Sequence, residues 1–141
     1  MKRKPNWYYV KPFNASYALF PTREPLSRFL RTLDIDIPER MDDSAGAIVR
    51  PYTNGMKYFM AVELGDLTDV DEYQVMVWLV HEAVHVFQFA CQHVGEEHPS
   101  AEFEAYAIQR IFNNLWNDYA VYVNAQNKKR KKGKAKNGKS K

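Results

Sequence analysis

The chain has 141 residues, 45% apolar and 14% aromatic, with a formal charge of +3, which suits one globular domain with a genuine core. No run approaches eighteen consecutive apolar residues, and the basic start Met1-Lys2-Arg3-Lys4 leads into Pro5-Asn6-Trp7 rather than an apolar signal region. A membrane span is therefore excluded, the single Cys91 excludes an internal disulfide, and a cytoplasmic protein is expected.

Residues 5–22 carry Trp7, Tyr8, Tyr9, Phe13, Tyr17 and Phe20 among Pro and Asn, as in short strands or a packed irregular arm. From Glu24 to Leu33, Leu26, Phe29, Leu30 and Leu33 repeat at helical spacing, with Pro25 suited to a first turn. The polar stretch from Pro38 to Ala45 reads as a loop. Two β-prone runs, 47–52 and 56–64, then flank Thr53-Asn54-Gly55, a strong hairpin signal. Pro51 suits an edge strand, and one of these strands could pair with an extended peptide; covering the core is the plainer role.

From Asp69 to Val94 there is no Gly or Pro, which is too long for a strand and predicts a helix. Thr68 or Asp69 can cap its start, Asp71 and Glu72 suit its first turn, and Gly95 supplies a stop. Within it lies His81-Glu82-Ala83-Val84-His85, an HExxH motif. Residues four apart share a helix face, so both imidazoles can reach one Zn2+ with Glu82 beside it as general base. Val75 to Val80 is apolar all round, so the helix is expected to be buried on most faces. The polar trio then needs satisfying, by a metal or, more plainly, by hydrogen bonds among core side chains.

Two His residues leave a third ligand to find. The metzincin positions hold Gln88 and Cys91, which excludes that class. His93 is about 12 Å further along the axis, and His98 sits in the turn before the next helix. That helix is capped by Ser100 and offers Glu102 and Glu104. Glu104 shares a stripe with Ile108, Ile111, Leu115 and Tyr122, whereas Glu102 shares a face with Gln109 and Asn113. An acid on an apolar stripe needs a partner, so Glu104 is the expected third ligand. Tyr106, Arg110 and Tyr119 are candidate donors to an oxyanion.

From Lys128 to Lys141 there are nine basic residues and no acid, leaving eleven basic against seventeen acidic residues in 1–127, a charge of −6. Residues 128–141 read as a disordered basic tail, and 1–127 as the domain. Lys128, Lys129, Arg130, Lys131 and Lys132 could dock on nucleic-acid phosphates or on an acidic partner, or serve only solubility.

With His81, Glu82, His85 and then Glu104-Ala105, the chain resembles the gluzincin-type zinc metallopeptidases over roughly residues 45–120. It is similar, more loosely, to compact metallopeptidase-like proteins of phages and prophages, which would place it in a host cytoplasm. The resemblance implies Zn2+ on His81, His85 and Glu104, Glu82 as base, and a peptide or protein substrate. It implies an α+β fold: a minimal zincin-like domain in which a hairpin or small antiparallel sheet packs on the HExxH helix and a second long helix. One departure is Ile108, where many gluzincins carry an Asp that supports a zinc-binding His. Two rival readings are a noncatalytic zinc-binding protein and a nucleic-acid-associated phage-type protein acting through its basic tail.

Overall fold

Asn54 and Lys57 pair directly, so the hairpin turns on Gly55 and Met56, with Gly55 in the left-handed region at φ 59°. A side chain is disfavoured there, which is why glycine holds the position. The first strand therefore runs two residues further than its β-prone run and the second starts one residue later: β3 spans Ala47–Asn54 and β4 spans Lys57–Leu64. The computed structural model describes residues 4–42 and 44–137.

Ahead of the hairpin lie β1 (Tyr8–Tyr9), β2 (Ala15–Phe20) and α1 (Arg23–Thr32); after it come α2 (Glu72–Val94) and α3 (Ala101–Asn137). The fold is α+β, with one four-stranded sheet in the order β1-β2-β4-β3. The sheet is mixed where an antiparallel one was expected. β1–β2 and β3–β4 are antiparallel, but β2 runs parallel to β4, with Ala15 opposite Tyr58 and Phe20 opposite Glu63. The reason is the connection: the chain leaves β2 through α1 and returns in β3, so β4 re-enters beside β2 in the same direction.

Both faces of the sheet are covered. Alternate residues of the strands (Tyr17, Leu19, Val49, Met60 and Val62) form the larger core with α2 and α3. The intervening ones (Ala18, Phe20, Phe59 and Ala61) meet Leu26 and Leu30 of α1, with Trp7 and Phe29 at the margin. Covering on both sides explains the apolar run from Tyr58 to Val62 in β4. Glu63, 2% exposed, interrupts the second core and is satisfied by Arg50 and by Arg23, the latter at 3.6 Å. The same two guanidiniums donate to the Pro38 and Glu39 carbonyls and so tie down the loop before β3.

α2 starts later than expected. Asp69 is left-handed at φ 58° and Thr68 N–H donates to Asp66, so a turn occupies those positions. Asp71 caps instead, accepting from Gln74 N–H at 2.7 Å, and Gly95 closes the helix at φ 73°. Nor is α2 buried on most faces. Val75, Leu79, Glu82, Ala83, Val86, Phe87, Ala90 and Cys91 face inward, while Tyr73, Val77, Val80 and His81 are exposed. The sheet and α3 cover only two sides of it.

α3 begins at its Ser100 cap, whose hydroxyl accepts from Phe103 N–H. It runs antiparallel to α2: Phe87 stacks edge-on with Phe103, and Tyr119 lies near Glu72. Its buried line is Ile111, Leu115 and Tyr119, with Ile108 and Tyr122 only half-buried. The helix does not stop at Asn127. Residues 128–137, expected as unstructured tail, continue α3, and residues 138–141 lie outside the described residues. Lys, Arg and Ala are good helix formers, and extending an existing helix avoids a new nucleus. Among the described residues no helix is long and apolar enough to cross a membrane.

Candidate metal centre

The motif lies where α2 passes the outer edge of β3. The four-residue step brings His81 and His85 onto one face with their ring centroids 4.6 Å apart and their Nε2 atoms 3.0 Å apart. Two nitrogens bound at about 2.0–2.1 Å to one tetrahedral zinc would lie about 3.3 Å apart. The observed spacing is close to that. Without a cation between them, one Nε2–H must donate to the other lone pair, since two facing lone pairs repel.

A neighbour selects the tautomer. His85 Nδ1 lies 3.0 Å from Gln88 Oε1, and an amide oxygen can only accept, so Nδ1–H donates. The lone pair of His85 is then at Nε2, facing His81. A carbonyl acceptor on the far nitrogen is the usual support of a metal-binding His. On His85 that acceptor is Gln88. The sequence carried this signal as a three-residue helical step, but Gln88 read there only as an excluded ligand position.

Glu82 turns the other way. Although α2 is partly exposed, Glu82 is only 5% exposed. Burial pushes its carboxyl above the ordinary value, opposed by His81, His85 and a hydrogen bond from the Val49 backbone N–H. Val49 lies on the edge strand, as Pro51 foretold. With Asn54↔Lys57 closing the turn, the odd-numbered residues of β3 direct their amides to the free edge. Of these, Val49 N–H is taken by Glu82 and Pro51 has none, so an added strand would meet few free donors there. The edge favours the plainer role, covering the core.

Glu104 is not brought to the two His residues. Antiparallel packing sets it level with Cys91, about 9 Å beyond His85 along α2, where it lines a cleft of about 820 Å3 with Gln88, Cys91, Gln92 and Glu96. Among the described residues no group of three or more His, Cys, Asp or Glu side chains is placed to hold a metal ion. His98 is exposed, its backbone N–H donating to Glu96. His93 stacks on Tyr58 at 4.0 Å.

The three oxyanion candidates also lie apart from the motif. Tyr106 and Arg110 border a small pocket with Tyr9, Lys11 and Tyr17, on the β1 side of α3. Tyr119 is buried near Glu72, in the first turn of α2, and burial raises its hydroxyl pKa. The helical stripe fixes which residues of α3 turn inward, but not which level of α2 they meet. Compared with protein-family models, curated proteins and solved structures, the chain matches none.

Proposed function

We propose that this chain is a zinc-dependent hydrolase of amide bonds, most closely of the gluzincin type, acting on a peptide or protein. The observation that carries the reading is the His81–His85 pair, Nε2 to Nε2 at 3.0 Å, beside a buried Glu82. His81 and His85 would hold the ion through Nε2. Glu104 is the proposed third ligand, and it would have to approach from the level of Cys91. The chemistry supplied by a bound Zn2+ is Lewis-acid polarisation of a carbonyl and a lowered pKa for water.

The remaining work belongs to side chains of this protein. Gln88 holds the His85 ring in its ligand tautomer. Glu82 accepts a proton from the attacking water and returns it to the leaving nitrogen, and a carboxyl raised by burial suits both halves of that task. The Val49 N–H keeps the carboxylate oriented.

Metal analysis of the wild type, His85→Ala, Glu82→Gln and Glu104→Ala tests the reading, together with hydrolysis of a mixed peptide library. Bound zinc in the wild type should be lost in His85→Ala and kept in Glu82→Gln, whose hydrolysis should fall by about 100-fold or more. Marked loss in Glu104→Ala supports the third ligand; full occupancy there removes Glu104 from the set. A wild type that binds no zinc at any loading overturns the proposal.

A further inference from the structure

Beyond Val123, the last residue of α3 packed on the core, the helix stands free, and every side chain from Asn127 to Ala135 is exposed. Six of these are cationic: Lys128, Lys129, Arg130, Lys131, Lys132 and Lys134. No acid follows Asp118 in the chain. Among the described residues none of the six makes an ion pair. At about 3.6 residues per turn they point around the whole circumference of the helix. Lys128 and Lys132, like Arg130 and Lys134, are four apart, so like charges sit side by side and destabilise the isolated helix. A polyanion touching several sides at once removes that repulsion.

We propose that residues 128–134 of α3 dock in the major groove of duplex DNA through phosphate contacts, without reading sequence. An α-helix about 10–12 Å across matches a groove about 12 Å wide, and phosphates line both walls. Cations on opposite sides of the helix can then be used together. The major groove of duplex RNA is too narrow and deep to admit them. An anionic membrane surface would contact only one side of the helix, and with Val123 the last large apolar residue of the chain there is no apolar side to insert beside the cations. The body, at −6 over residues 1–127, repels DNA and confines the contact to this projecting segment.

The test is fluorescence anisotropy of the full chain with a labelled duplex of about 20 base pairs, between about 50 and 200 mM salt. We expect the logarithm of affinity to fall with the logarithm of salt at a slope of about −4 to −5, at about −0.9 per neutralised phosphate. Replacing all six cations by Gln, which preserves helix propensity, should weaken binding at least about 100-fold and at least halve the slope, with an unchanged circular dichroism spectrum of the body. Duplex RNA of equal length, poly-glutamate and anionic vesicles should each bind at least about tenfold more weakly. No binding at low salt overturns the proposal, as does equal binding by the Gln variant. Equal or tighter binding of any of the three competitors overturns it too, as does arm-dependent self-association without DNA binding.

Discussion

Glu82 and Tyr17 show how differently two buried ionisable groups can be used. Glu82 accepts from an edge-strand amide and lies within electrostatic reach of two imidazoles, all of which favour its charged form against burial. Gln88, the partner of His85, is exposed, so its loss should leave folding intact. On the proposed reading, Gln88→Ala removes the acceptor from His85 Nδ1 and weakens zinc binding about 10- to 100-fold, whereas Gln88→Glu retains it. Competition with a chromophoric chelator measures this; an unchanged affinity would show that His85 is oriented without Gln88. Tyr17 is fully buried and accepts from Asn114 Nδ2 at 2.8 Å. Burial pushes its hydroxyl from 10.0 up to about 12, with the Asn114 bond opposing. The folded state thus keeps the proton after the unfolded chain has released it. Stability from this group is complete below about pH 10 and is lost as pH climbs towards 12, by about 2–3 kcal/mol. Urea titrations across that window should show the decline in the wild type and a shallower one in Tyr17→Phe.

At the scale of elements, the position of α2 against β3 depends on one close approach. A Cβ placed on Gly46 would lie 1.9 Å from the Trp78 ring, so the indole fills the space that the glycine leaves. Gly46→Ala must displace Trp78 and with it the turn of α2 that leads into His81. We expect a loss of about 2 kcal/mol or more, as for overpacked cores, with a shift in tryptophan emission. Denaturant unfolding followed by fluorescence reads both, and wild-type stability with an unshifted spectrum would contradict the packing. Glu63 plays a comparable part on the opposite face of the sheet. Its two arginines bind loop carbonyls, so one buried acid joins β4, β3, α1 and the loop of residues 38–39.

As a whole, the molecule is a three-layer body from which one helix continues outward. The segment beyond Val123 buries almost nothing, so it contributes nothing to the stability of the body. Truncation after Asn127 should leave the unfolding free energy from urea titration unchanged to within about 0.5 kcal/mol. A larger loss would mean that residues beyond Asn127 pack on the core. The charge separation is as marked as the shape: a body at −6 and an extension without acids.

Local chemistry was legible before any fold was known. Asn54-Gly55 announced the hairpin, Gly95 and Ser100 marked helix ends, Pro51 named the edge strand, and the His81–His85 step put two imidazoles on one face. Each of these depends on residues within about one turn of one another, where backbone geometry leaves few choices. Disorder in residues 128–137 was misread because composition records the repulsion among the lysines but not the helix already running into them. Three matters belonged to the tertiary structure alone: the parallel pairing of β2 with β4, the burial of Glu82 against Val49, and the level at which α3 meets α2. The last sets Glu104 beside Cys91 and away from His85. Such features are settled by contacts between distant segments, whose register and depth are decided by packing rather than by spacing. The sequence by itself determined that two imidazoles share a helix face with a carboxylate next to the first in the chain; only the tertiary structure decided what stands opposite them.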